Sequence, residues 1–385
     1  MRKCFFISSQ LSNEMWIKQR APVPLNWWLL RVDLLLTVLI SILVLFGLFI
    51  LFSASNQNIN VVTKQLFWLL IGFLVMFILA NIPPQFYYQW TPLIFVFGLF
   101  LLVIVLVFGD IGRGARRWFN LGFFHFQPAE IMKLATPMML AYYCSNKKFP
   151  LRIKSLFCSL ILLTLPAVLT AKQPDLGTAM VMEISGLCVL LLAGISWQLI
   201  FTLLFLIIGL SIPLWHFMHT YQKDRVLIFL NPERDPLGKG YHIIQSKIAF
   251  GSGGLFGKGW LHGTQSHLQF LPVHVTDFIF AVIGEEFGFL GCLVLIGLFL
   301  IVFARCFLYM SNKAQNTYDR LLSGSLSLTF ILSALVNIGM VIGILPVVGV
   351  PLPLISYGGS SIITTMAEFG IIMSIYTHKK LWSII

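Results

Sequence analysis

The sequence predicts an all-α polytopic membrane protein, with about ten transmembrane helices and a large extracytoplasmic loop between spans 7 and 8. Three observations carry that expectation. Of the 385 residues, 58% are hydrophobic and 10% charged, whereas about a quarter of the residues in a soluble domain are charged. Apolar stretches of roughly 20 residues, long enough to cross the hydrocarbon as helices, recur from residue 34 almost to the end. Lys and Arg gather in alternate gaps between them, the bias of loops retained in the cytoplasm.

Residues 1–33, with Arg2, Lys3, Lys18, Arg20 and Arg31, read as a cytoplasmic N-terminal segment. No cleavage site of small residues follows the first span, so a retained anchor is expected. A single transmembrane domain then occupies 34–380, with spans at 34–53, 66–83, 91–108, 129–143, 155–170, 178–194, 198–219, 277–304, 321–345 and 355–377. Alternating from a cytoplasmic start, three basic segments all fall inside: Lys147, Lys148, Arg152 and Lys154; Arg305, Lys313 and Arg320; and the tail with His378, Lys379 and Lys380. Both termini are therefore expected in the cytoplasm. The widest gap, 220–276, lies outside and holds the glycine-rich GSGGLFGKGW. The net charge of +12 is explained by loops facing anionic lipid, with no nucleic-acid partner. The six cysteines are scattered without a CxxC and read as packing residues.

Polar residues break this apolar background in five places. Between spans 3 and 4, GDIGRGARRWFNLGFFHFQP (109–128) falls outside yet holds Arg113, Arg116 and Arg117, against the positive-inside bias. These arginines read either as headgroup anchors beside an interfacial belt of Trp118, Phe119, Phe123, Phe124 and Phe126, or as an anion site. Guanidinium presents a planar fork of donors suited to phosphate oxygens. The following FQPAEIMKLA puts Glu130 and Lys133 on one helix face. Charges inside a membrane are costly and mark a protein interior or a wet cavity, so the pair either fixes packing or belongs to a site. In TAKQPDLGTAM, Lys172 and Asp175 sit at a turn on the same outer side, where Asp175 also suits a helix N-cap.

The fourth and fifth breaks lie further on. FLPVHVTDFIFAVIGEEFGFLG (270–291) carries Asp277, Glu285 and Glu286. Turning by about 100° per residue from Asp277 places Ala281, Gly284, Gly288 and Gly291 below it as a stripe of small residues, with Glu286 opposite. Such a stripe permits close helix contact or leaves a groove for a lipid-like chain. Asp277 in a first turn also suits the helix dipole. Glu285 lies about 12 Å deeper and, with Glu286, is expected to tie neighbouring helices together. NIGMVIGILPVVGVPLPLISYGGSSII (337–363) has too many Pro and Gly residues for one helix. Broken backbone at membrane depth must be buried or line a wet cavity, to which Ser356, Tyr357, Ser360 and Ser361 would bring hydroxyls. Transporters use broken helices too.

FNLGFFHFQPAEIMKLA, KQPDLGTA, NPERDPLGKGYHIIQSKIAFGSGGLFGKGW, GTQSHLQFLP, TDFIFAVIGEEFG and NIGMVIGILPVVGVPLPLISYGGSS together resemble the SEDS family (shape, elongation, division and sporulation). GILPVVGVPLPLISYGG is more similar to its RodA-like elongation branch than to its division branch. The resemblance implies ten transmembrane helices and a peptidoglycan glycosyltransferase. Such an enzyme polymerises lipid II, an undecaprenyl diphosphate bearing a disaccharide-peptide, at the outer face of the bacterial cytoplasmic membrane, for cell elongation and rod shape. Implied partners are a class B penicillin-binding protein transpeptidase and elongation-complex membrane proteins.

Carried over by motif, Asp277 matches the essential aspartate of T-D-F, Glu130 and Lys133 the polar pair of a central cavity, and Asp175 the aspartate of K-Q-P-D-L-G. Two departures stand out. The family usually reads P-E-x-H-T-D-F, where this chain has Pro272-Val273-His274-Val275-Thr276-Asp277, and Phe256 stands where a basic residue is common. In the implied chemistry Asp277 takes the proton of the acceptor sugar's 4-hydroxyl as it attacks the donor's anomeric carbon with inversion. Arg116, Arg117, Lys133 and Lys247 offset the charge growing on the departing diphosphate, and Ser356 contributes to substrate binding. No cofactor is demanded; a divalent cation, magnesium or manganese, could share the task, but no carboxylate cluster fixes one. A flippase for lipid-linked precursors and a non-catalytic scaffold for the crosslinking enzyme stay open as alternatives.

Overall fold

The computed structural model describes residues 32–112, 115–120, 125–147, 149, 151, 153–194, 239–267, 273–312 and 316–378, together with 209, 223–224, 227–228 and 231. Almost all of the expected span 198–219, the N-terminal segment up to residue 31 and much of the 220–276 loop lie outside the described residues. In chain order the described helices are α1 (Leu34–Ala54), α2 (Ile59–Asn81), α3 (Pro84–Phe108), α4 (Pro128–Ser145), α5 (Ile153–Lys172), α6 (Leu176–Leu192), α7 (Lys239–Ser252), α8 (Thr264–His267), α9 (Ile279–Asn312), α10 (Thr317–Val341) and α11 (Gly359–Thr377).

Six of them, α1, α2, α3, α5, α9 and α10, are long and apolar enough to cross a membrane. α6 is a shorter apolar helix, while α4 and α11 carry Glu130, Lys133, Thr364 and Glu368 on faces turned into the protein. Burial separates inner from outer helices. The apolar window of α10 is 72% buried, against 22% in α2 and 28% in α3. α10 packs against α9, α6 and α4, and α11 lies along α2. The hydroxyls of Ser323, Ser327 and Thr329 on α10 bond back to carbonyls four residues earlier, at 2.7, 2.7 and 2.8 Å, so a buried helix can hold them.

α2 and α3 begin earlier than their apolar stretches because their first turns are polar. Asn58 caps α2 by accepting from the Asn60 amide at 3.0 Å, and Pro84 occupies the first position of α3. The loop at 109–128 departs from the all-α expectation. It forms a small antiparallel sheet of β1 (Asp110–Gly112), β2 (Ala115–Asn120) and β3 (His125–Phe126), in that order. Arg116 lies opposite Ile111 and Phe119 opposite Phe126. Pairing strands satisfies backbone groups of a segment at the end of an apolar bundle, where water is scarce.

α9 is not one continuous helix from Asp277. Residues 273–278 form turns, and Gly288 leaves the helical region at φ 66°, ψ −164°. The phase computed from Asp277 therefore does not extend past Gly288, and Gly291 does not continue the stripe. The chain's own loop fills the close approach: Gly253 lies on the Gly284 carbonyl, Gly257 on the Glu286 carbonyl, and the Phe250 ring covers Gly284. Four main-chain bonds cross the break, from Lys258 to Glu285 and Gly259 to Glu286 at 3.0 Å, Phe289 to Gly254 at 2.9 Å and Leu290 to Leu255 at 3.1 Å. Of the two uses expected for the stripe, close packing is realised and the lipid groove is not.

Glu285 and Glu286 fix packing as expected. Glu285 accepts from Lys258 Nζ at 2.8 Å, Thr264 Oγ1 at 3.1 Å and the Gln265 amide at 2.9 Å. Glu286 accepts from Ser53 Oγ on α1 at 2.5 Å. Among the described residues Cys144, Cys188, Cys292 and Cys306 are free and buried, and Cys158 is free and exposed.

Candidate active site

The broken segment between α10 and α11 builds one wall of the site. Gly349 takes φ 79°, a left-handed conformation open to glycine, and Pro351 and Pro353, the latter opening a turn, keep the chain beside it out of a helix. Its backbone groups are met by side chains from two helices and by the backbone of the 273–278 turn. Asn337 Nδ2 of α10 donates to Val350 O at 2.7 Å and to Asp277 O at 2.8 Å. Gln65 of α2 donates to Ser356 O at 3.1 Å. The Tyr357 amide donates to Val275 O at 2.9 Å. This network docks the 273–278 turn, and hence Asp277, against the segment. Asp277 Oδ2 lies 3.6 Å from where a β-carbon on Gly349 would be.

Ser356 takes a place other than the one expected. Its hydroxyl donates to Thr276 O at 2.5 Å and accepts from the Leu352 amide at 2.8 Å, so both functions are used within the fold. It clamps the Asp277 turn and does not stand among the residues that line the cavity.

The second wall comes from β2, α4 and α6. Asp175 caps α6, accepting from the Thr178 amide at 3.3 Å and from Thr178 Oγ1 at 2.8 Å. The same carboxylate takes Gln127 Nε2 at 2.6 Å and stands 3.8 Å from Arg117 Nη1. Arg117 also donates to Gln173 O at 3.1 Å and to Pro174 O. Gln173 in turn donates to Leu102 O at 3.0 Å, anchoring the turn on α3. Structural and site readings of Asp175 thus coincide in one group. Lys133 Nζ lies 2.6 Å from Glu130 Oε1, with both side chains largely buried.

These walls enclose a cavity of about 690 Å³ lined by Arg117, Trp118, Glu130, Lys133, Asp175 and Asp277, with Gln127, Tyr357, Ser360 and Ser361 among the other lining groups. A second cavity of about 930 Å³ shares Trp118, Gln127, Glu130, Thr276, Tyr357 and Ser360 with it and continues past Lys64, Phe67 and Trp68 of α2. Four helices, α4, α6, α9 and α11, begin at the first cavity. Their amino ends, that of α6 already capped by Asp175, bring partial positive charge to it, an arrangement that favours an anion.

Of the residues singled out in the sequence, Asp277, Glu130, Lys133, Asp175 and Arg117 meet here. The side chain of Arg116 lies outside the described residues, although its backbone belongs to β2. Lys247 lies apart: it is exposed on α7, with its side chain packed over Gly343. Gln127, Trp118 and Thr178 were not expected as lining residues; Gln127, two residues from Ala129 inside a quoted motif, was the most accessible of them. Among the described residues no group of three or more His, Cys, Asp or Glu side chains converges. The donor set therefore does not fit a divalent cation held by the protein alone.

Comparison with known proteins agrees with this geometry. The profile of the FtsW/RodA/SpoVE family, described as "Cell cycle protein", matches residues 28–381. The chain is 47% identical over 358 residues to "Peptidoglycan glycosyltransferase MrdB" of Escherichia coli (strain K12), covering 93% of this chain and 96% of that one. It is 32% identical over 422 residues to "Peptidoglycan glycosyltransferase RodA" of Treponema pallidum (strain Nichols), covering 90% and 97%. Among solved structures, a chain described under "Structural coordination of polymerization and crosslinking by a peptidoglycan synthase complex" superposes with a TM-score of 0.79 at 32% identity, covering 91% of this chain and 99% of that one. A family match that spans nearly the whole chain, joined to the motifs that build both cavity walls, makes this protein a member of the FtsW/RodA/SpoVE family, the SEDS family.

Proposed function

We propose that this protein is a peptidoglycan glycosyltransferase that polymerises lipid II at the outer face of the bacterial cytoplasmic membrane during cell elongation. The observation that carries the reading is the meeting of Asp277, Lys133 and Arg117 on one cavity at which four helices begin. Relatives across the full chain bear the name peptidoglycan glycosyltransferase, and the polarity of this cavity suits a lipid diphosphate.

In this reading Asp277 is the general base. Its carboxylate takes the proton from the 4-hydroxyl of the acceptor sugar, the oxygen attacks the anomeric carbon of the donor, and the bond to diphosphate breaks with inversion. Lys133 and Arg117, with Arg116 nearby on β2, offset charge on the leaving diphosphate, helped by the amino ends of α4, α6, α9 and α11. Asp175, itself held by Gln127, keeps Arg117 in place, Glu130 holds Lys133, and Ser356 holds the turn of Asp277. Lys247, exposed on α7 with its side chain over Gly343, does not line this cavity. No step is routed through a metal ion.

Nine of the described helices coincide with nine of the ten expected spans, which supports ten crossings with both termini in the cytoplasm and the large loop outside. Even-numbered spans then begin on the outer side, where the cavity lies. A flippase would need a midplane site reachable from either side, and the gathering of site residues at one end favours the enzyme. The structural neighbour's complex couples polymerisation to crosslinking, which supports a class B penicillin-binding protein as partner, among other elongation-complex membrane proteins.

Asp277→Ala is expected to abolish glycan polymerisation from purified lipid II while the protein elutes and melts as wild type. Polymer formed at a near-normal rate by this variant would remove Asp277 from the role of base.

A further inference from the structure

The mechanism leaves the buried acid Glu368 without a task. Glu368 sits on α11, 6% exposed, in the middle of a helix that is otherwise apolar or hydroxyl-bearing. Intramembrane carboxyl groups are costly and rarely idle. Glu368 lines a small chamber together with Glu130, Lys133, Ser333, Ser361 and Thr365. Glu130, Lys133 and Ser361 also line the large cavity, so the chamber lies directly behind the Lys133 side of the site. Its free volume of about 20 Å³ has room for about one water.

The charges here do not balance if every group is ionised. Two carboxylates would face one ammonium in a buried space, an arrangement that also opposes an anionic substrate. Glu130 Oε2 is buried with no hydrogen-bond partner, although Oε1 holds Lys133. Thr364 and Thr365 offer it nothing, because their hydroxyls bond to Ser360 O and Ser361 O. Among the described residues lining this chamber Lys133 is the one cation, and α10 brings Thr329 and Ser333; on α9 the buried thiol of Cys306 lies beside Arg305, whose charge is paired with Asp33 at 2.8 Å, and the single charged group of α2, Lys64, lines the other cavity.

We propose that Glu368 is a positioning residue that carries a proton, donating it through one water to Glu130 Oε2, so that the three-residue cluster is neutral and the charge of Lys133 remains available to the diphosphate. Ionisation of Glu368 adds one negative charge behind Lys133 and weakens substrate binding. This rests on Lys133 serving the diphosphate.

The test compares polymerisation of lipid II by wild type, Glu368→Gln, Glu368→Leu and Lys133→Ala across pH. Glu368→Gln keeps a donor and cannot ionise, so it should match wild type at neutral pH and keep its apparent Michaelis constant at alkaline pH, where wild type should weaken by about tenfold, the effect of one charge at roughly 10 Å and an effective dielectric near 20. Glu368→Leu, if it folds, should lower turnover at every pH. Infrared spectra should show the carbonyl stretch of a protonated carboxylic acid in wild type and lose it in Glu368→Gln. The same alkaline limb in Glu368→Gln, or an unchanged carboxylic-acid band, overturns the inference. A Lys133→Ala variant with normal kinetics instead overturns the assignment of Lys133, on which it rests.

Discussion

Arg117 shows how much one side chain can be asked to do. Its guanidinium reaches two carbonyls of the Gln173–Pro174 turn and stands beside Asp175. Replacing it by alanine removes a possible phosphate ligand and leaves buried acceptors short of a donor, a loss of about 1–3 kcal/mol per group. Arg117→Ala should therefore raise the apparent Michaelis constant for lipid II and also lower the melting temperature; unchanged kinetics would return the arginines of this loop to a headgroup role. The charged residues of the site were legible in the sequence because a charge in an apolar span has few explanations. Neutral Gln127 and Trp118 were not, since amides and aromatic rings are common at membrane boundaries. Ser356 was misread in its task because a hydroxyl in a broken segment can face a ligand or a backbone carbonyl, and the pattern is the same for both.

At the scale of elements, helix existence followed from hydropathy, and errors fell where polar residues begin a helix or where glycine ends one. α2 starts at Ile59, ahead of its apolar run, and Gly288 interrupts what reads as a continuous span. The facing of α7 could not be derived either. α7 is not one of the long apolar helices and offers no lipid-facing stripe from which to orient it, so Lys247 could not be placed. The structure puts His242 of α7 over Phe278, with ring centroids 6.2 Å apart, beside the Asp277 turn. Burial pushes this imidazole below its usual 6.5, and Nδ1 has no hydrogen-bond partner. The folded state then binds fewer protons than the unfolded one. Stability is complete above about pH 6.5 and declines as the pH falls towards the depressed folded value. Thermal melts below neutrality should drop more steeply for wild type than for His242→Phe, and parallel curves would show that α7 is held by other contacts.

For the whole molecule, composition alone places the chain in a membrane, and alternation of charge gives the expected order of loops. What composition cannot give is convergence: Arg117, Glu130, Asp175 and Asp277 are spread over three separate parts of the chain, and their meeting depends on α4, α6 and α9 starting at the same end of the bundle. The seam across Gly288 carries one more consequence. Residues 254–259 lie in the loop between α7 and α8, where amides usually exchange with deuterium within moments, yet main-chain bonds stitch this loop to α9. The Lys258 and Gly259 amides, which donate to Glu285 O and Glu286 O, should exchange on the slow timescale of the bundle interior. Fast exchange there would mean that the stitching opens readily, leaving the short rod that bears Asp277 free to swing.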